Sequence, residues 1–212
     1  SPMPQQWLLT ESIMNELVTL ADGMGLHRFS DLCVLSWEFL FRVVSEAIDL
    51  QAGSAADITT LKAPRHSAVW IDGNGAIVVR LVRRKNRPQG SLLKRDCMCS
   101  FAGESRCPVH RLAHHLSTLE PGESLFAMTG SQFLSQLKRL LGLLGVPAAS
   151  SFSLKAFRAG KATALAAQGH AYSKILAACP WASGAALRYI DDAVLCLNQT
   201  LSFTTDTSTH VP

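Results

Sequence analysis

Lys155-Ala156-Phe157-Arg158, then Pro180-Trp181-Ala182-Ser183, then Leu187-Arg188-Tyr189-Ile190 are the runs whose reading decides this chain. Ser153 is a good N-cap, and the Ala-rich stretch from Leu154 to Gln168 reads as a helix closed by Gly169. Lys155 and Arg158 stand three apart, so both project from one face of its first turn. A short helix from Tyr172 to Ala178 follows, stopped by Pro180, with Tyr172 as a packing residue at its start. A third helix begins near Ser183 and carries Tyr189. Two cations, an indole and a phenol are strung along these helices, and from Ser124 to Ile190 seven Lys/Arg face not one Asp or Glu. A surface of that kind suits phosphate.

The rest of the composition sharpens the contrast. Of 212 residues about half are apolar, enough for one domain with a sizeable core. The net charge is only +4, but residues 1–60 hold eight acids against Arg28 and Arg42, while the remainder holds eighteen bases against eight acids. Such asymmetry points to nucleic acid on one face. No apolar run approaches the ~20 residues of a membrane span, and no signal-peptide pattern opens the chain. An intracellular protein is expected, nuclear if the host is eukaryotic, and Ser1-Pro2-Met3-Pro4 reads as the edge of a longer chain. Six unevenly spaced cysteines in such a protein are free thiols or metal ligands rather than a disulfide framework.

Taken in order, Thr10 caps an amphipathic helix running to Gly23–Gly25, and a more apolar helix is expected over Asp31–Ala47. Arg42 falls inside the second, four residues from both Glu38 and Glu46, and can pair either on a solvated face. Residues 51–64 read as a polar connection. Val69–Ile71, the turn Asp72-Gly73-Asn74-Gly75 and Ile77–Val82 form a β-hairpin, and a basic turn from Arg83 to Gly90 leads into a third strand over Ser91–Asp96. Cys97, Cys99, Cys107 and His110 come next, either loop thiols or a zinc site in which His114 or His115 can replace His110. With four protein ligands such a zinc is structural, clipping the hairpin to a helix over Val109–Leu116. A helix over Ser131–Leu144 turns Leu134, Leu137, Leu141 and Leu144 inward, and residues 198–212 read as a disordered tail.

The order and spacing of Lys155-x-x-Arg158, Trp181 and Tyr189 resemble the catalytic end of the tyrosine recombinase/integrase family, in wording closest to the divergent recombinases of eukaryotic mobile elements. The resemblance spans residues 9–197. It implies a mostly α domain with a small antiparallel β-sheet over 68–96, beside which the zinc clip read from the Cys/His spacing falls over 97–110. It further implies site-specific DNA recombination or integration through a covalent 3′-phosphotyrosine. Tyr189 is then the nucleophile, Arg42, Arg158, Lys155 and Trp181 surround the phosphate, and Lys85 in the basic turn is the general acid. Glu46 supports Arg42, while Arg83, Arg84, Arg87 and Lys161 contact DNA. The partner implied is double-stranded DNA, with self-association as a tetramer upon it; no metal is required for catalysis. Two other classes fit the same residues: a catalytically inactive DNA-binding descendant, and a zinc-stabilised interaction domain whose bases are merely solvated.

Overall fold

Thr10 Oγ1 accepts the Ile13 N–H at 3.2 Å and opens α1, Glu11–Gly23. The chain turns through Gly25, at φ 72°, into α2, His27–Glu38, which is buried on nearly every side from Phe29 onward. In this computed structural model residues 8–55, 65–84 and 89–178 are described. Around α2 pack α1, α5 (Gly130–Leu143) and α6 (Lys155–Ala167). Phe133 of α5 joins them, its ring 4.8 Å from Phe29 and 5.6 Å from Phe157. Gly160 sets the approach of α6. A Cβ there would fall on the Leu9 carbonyl oxygen and stand 2.8 Å from Trp37 Cζ3, so only glycine allows the contact.

The single helix expected over Asp31–Ala47 is two elements. Helix α2 stops at Glu38, Leu40 takes φ 52°, and Val43–Ala47 form one π-helical turn with Arg42 in extended conformation before it. Continued helix would point Phe39, Leu40 and Phe41 about 100° apart, so one of the three would face water. The break buries all three: Phe39 stacks on Phe41 at 5.2 Å, while Leu40 joins Ala162, Ala166 and Ile175 in a separate apolar cluster. A left-handed leucine costs of order 1 kcal/mol, small beside ~1.5–3 kcal/mol for each large side chain removed from water.

The sheet is mixed, not wholly antiparallel. Strands β2 (Ala68–Ile71), β3 (Ile77–Leu81) and β4 (Ser91–Arg95) form the expected meander, with Asp72 Oδ1 accepting the N–H groups of Asn74 and Ala76 in the first turn. Ahead of them β1, Gln51–Ala52, pairs parallel to β2 inside the segment expected as connection. Ala52 donates to the Glu123 carbonyl and accepts from the Gly122 N–H, so this short strand is held from both sides. Val69, Ile77, Val79 and Leu81 face the helical core; Ala68, Trp70 and Val78 pack on the opposite face.

Beyond β4 come α3 (Cys99–Ala102), α4 (Pro108–Ser117), and finally α7 (Tyr172–Ala178), with bounds as expected for α7. Two local expectations are corrected. Leu154, not Ser153, stands at the α6 N-cap position, and Ser153 contributes only its carbonyl, to the Ala156 N–H. In α5 the fully buried stripe is Phe133, Leu137, Leu140 and Leu141; Leu134 and Leu144 are half-buried, because the helix turns its phenylalanine toward α2. Thr129 and Gln132 form a reciprocal capping box at its start. No described helix is long and apolar enough to cross a membrane.

Candidate functional site

The helix break delivers Arg42 to a distinctive environment. The Glu46 N–H bonds back to the Arg42 carbonyl at 2.8 Å, and Glu46 Oε2 accepts the Arg42 N–H at 3.0 Å, so the π turn closes on itself. Glu46 Oε1 also takes Arg42 Nη1 at 3.3 Å. Both carboxylate oxygens are engaged by Arg84 as well, Nε to Oε1 and Nη2 to Oε2, each at 3.2 Å. Glu46 thus receives four hydrogen bonds from two arginines, filling its acceptor capacity. The side chains of Arg84 and Glu46 are 2% and 1% exposed, and that of Arg42 is 32% exposed. Of the two arginines only Arg42 reaches solvent.

Arg158 lies in the buried part of α6, one turn before Ala162, while Lys155 is exposed at the start of the helix. Ala162 packs with Leu40, and Arg158 stands one turn earlier on the same stripe of α6. Tyr172 packs against that same cluster, in keeping with a packing role. Lys85, Arg87, Trp181 and Tyr189 lie outside the described residues, as does the expected tail over 198–212. Arg83, just before the undescribed part of the basic turn, is exposed.

Two residues expected on the DNA surface are instead held in ion pairs with acids of the interior, Arg84 buried and Lys161 half-buried. Arg84 is bound to Glu46 as above. Lys161 Nζ meets Glu38 Oε2 at 2.9 Å and sits 5.7 Å from the Trp37 ring centre, with its side chain 13% exposed. Burying either cation without a carboxylate is costly, and in each case the fold supplies one from a distant element. Glu38 also receives Arg106 at 3.5 Å, and Arg106 reaches Glu11 and Asn15 on α1. Arg111 bonds Asp22 and Asp31, each at 2.8 Å. Burial opposes ionisation of Asp22, but its bonds from Arg111 and Ser30 outweigh that and hold its pKa below the usual value. Arg106 and Arg111 thereby dock the start of α4 onto α1 and α2, an arrangement no local sequence pattern signals.

Docked there, α4 faces the end of β4 and completes the Cys/His cluster. Cys97, Cys99, Cys107 and His110 bring their donor atoms within 4.8 Å of one another, a set that can hold a metal ion. The His110 Nδ1 lies 3.6 Å from Cys97 Sγ, 3.1 Å from Cys99 Sγ and 3.5 Å from Cys107 Sγ, and the Cys97–Cys107 sulfurs are 3.9 Å apart. Tetrahedral zinc at ordinary bond lengths needs S–S edges of about 3.8 Å and S–N edges of about 3.5 Å. The fit is close. His115 instead turns Nδ1 to Asp31 at 3.7 Å, and of the three α4 histidines it is His110 whose donor atom lies among the sulfurs.

The titration of the cluster expresses the same crowding. Desolvation and the adjoining Cys97 and Cys107 push the Cys99 thiol up to about 12. Burial opposes ionisation of Cys107 too, yet its bonds from His110 and the Met98 N–H bring it down to about 6. His110 is raised by its bond to Cys107. Three thiols and an imidazole compete for protons that a single cation can replace.

The two constellations are joined through β4. Arg95 donates to the Glu38 carbonyl at 3.3 Å and lies 4.9 Å over the Phe39 ring, while Lys94 pairs with Asp72 at 2.8 Å. One end of this strand borders the Cys/His cluster, its side chain Arg95 rests on the helix break, and its other end leads back to the basic turn. Comparison of the chain with protein-family models, with curated proteins and with solved structures gave no match in any of the three.

Proposed function

We propose that this chain binds double-stranded DNA and cuts and rejoins one strand through a covalent 3′-phosphotyrosine at Tyr189, in the recombination or integration of a mobile element. The observation that carries the reading is the surplus charge at the helix break. Two guanidiniums share one buried carboxylate, and the excess positive charge reaches solvent only through Arg42, whose side chain makes one hydrogen bond among the described residues. An anion with several acceptor oxygens satisfies such a group, and phosphate is one.

The chemistry then follows from residue types. The Tyr189 phenolate attacks phosphorus, the 5′-oxygen departs with a proton from Lys85, and the bond energy is kept in the phosphotyrosine until a 5′-hydroxyl reverses the step. A phenol of pKa ~10 ionises more readily beside cations. Arg42 and Arg158 offer donors to the non-bridging oxygens as charge builds there, Lys155 adds charge, and the Trp181 N–H gives one further bond. Arg83 and Arg87 hold flanking phosphates, which positions the duplex without reading its sequence. Zinc on Cys97, Cys99, Cys107 and His110 is structural in this reading, since four protein donors leave no open position.

The reading is tested by trapping. On a duplex nicked just downstream of the cut site, the short fragment released with a free 5′-hydroxyl diffuses away and the covalent adduct should accumulate, with the label on the peptide holding Tyr189. Affinity should fall steeply with salt, because the acid-free stretches 73–95 and 124–190 displace several counterions. An adduct mapped to Tyr172, or binding indifferent to salt, overturns the assignment.

A further inference from the structure

One arginine is enough to neutralise Glu46. Arg42 already reaches that carboxylate through its side chain and its backbone N–H. A second guanidinium, Arg84, is nevertheless buried beside it at the cost of its hydration. Neutralisation therefore does not explain Arg84, whereas geometry does. Its fork engages both oxygens of Glu46, the strongest way an arginine can hold a carboxylate. With those acceptor sites taken, Arg42 is restricted to one side-chain bond, on Oε1. Were Arg84 absent, the same sites would be open to the Arg42 fork. Arg42 would then be drawn into a closed bidentate pair, its charge cancelled and its donors spent.

We propose that Arg84 is a positioning residue: by closing Glu46 bidentately it keeps the Arg42 guanidinium available to an anionic oxygen, here a DNA phosphate. This rests on the reading of Arg42 as a phosphate ligand. It recasts Arg84, which the sequence places among the DNA contacts, as a residue that acts through another and never touches the nucleic acid. The ligand class it serves is a phosphodiester or free phosphate, the class that the reading of Arg42 supplies.

The test is a double-variant cycle on the full chain, using Arg84→Lys in the wild-type and Arg42→Ala backgrounds. Lysine keeps a cation on Glu46, so the double variant never leaves that carboxylate buried and unpaired, and melting temperatures monitor folding. In the wild-type background Arg84→Lys should slow adduct formation about tenfold, and in the Arg42→Ala background by less than about twofold. The slope of affinity against salt should drop by about one phosphate for Arg84→Lys alone. A merely structural arginine would lower the melting temperature and slow both backgrounds by the same factor, and that result overturns the proposal. A second arm needs no DNA: inorganic phosphate should raise the wild-type melting temperature, Arg84→Lys should shrink that rise, and Arg42→Ala should abolish it. Wild-type protein that binds DNA without an adduct sinks the cleavage reading, and the affinity cycle then decides Arg84. Wild-type protein that binds neither DNA nor phosphate sinks both.

Discussion

Lys85→Ala protein should cleave an ordinary DNA substrate roughly 10²–10⁴-fold more slowly than wild type, and a bridging 5′-thio substrate at close to the wild-type rate. The argument is about the leaving group. When Tyr189 attacks, the 5′-oxygen departs as an alkoxide unless a proton arrives with it, and supplying that proton is the task assigned to Lys85. Sulfur in the same position leaves as a thiolate and needs no proton. Arg158→Ala should show no such rescue, because its defect lies in charge on the non-bridging oxygens. Lys94, on the adjoining strand, is the competing acid, but its bond to Asp72 raises its pKa and makes it the poorer proton donor. Rescue of Lys94→Ala in place of Lys85→Ala would move the acid to β4, and rescue of neither would remove it from this hairpin.

The second large effect concerns the metal. Protein purified without chelator should carry one zinc per chain, and Cys107→Ser should lose it. Structural zinc in finger peptides contributes an apparent ~10–16 kcal/mol, so even a third of that should lower the melting temperature by about 10 °C or more in a chain of this size. Cys107 is the sharpest choice because it is fully buried within the main core and also accepts the Met98 N–H at 3.2 Å. The damage should stay local. Helices α1, α2, α5 and α6 bury their apolar faces on one another without help from the cluster, so helical signal should largely survive while β4 and α3 loosen. Zinc-free wild-type protein with an unchanged melting temperature would refute the site.

What the sequence disclosed and what it hid divide along a physical line. Elements announced by local chemistry were legible: the Thr10 cap, the Asp72 turn, the β2–β4 meander, the bounds of α7, and the four Cys/His donors. The break at Phe39–Arg42 was not, because Leu35, Phe39, Leu40 and Val43 satisfy a helical period. It is decided by where α6 and α7 need Leu40, which local sequence does not contain. Arg84 and Lys161 look solvated in their own neighbourhoods, since their carboxylates lie 38 and 123 residues away. Glu46 as the partner of Arg42 was within reach because that pair sits four apart.

Strand β1 bears on how the chain acquires its shape in time. The β2–β3 hairpin closes over a five-residue turn and can form within microseconds. Strand β1 is only two residues long; it pairs with β2 on one side, but the Ala52 amide bonds to the Glu123 carbonyl on the other, beyond the sheet, the Cys/His cluster and α4 in sequence. Closing so long a loop for so few bonds is unfavourable until everything between is in place. The segment that joins the Arg42 turn to the sheet should therefore be the last to lock during refolding. Pulsed hydrogen exchange would show this as protection of the Ala52 amide trailing that of Val79; simultaneous protection would mean that the ladder forms as one unit.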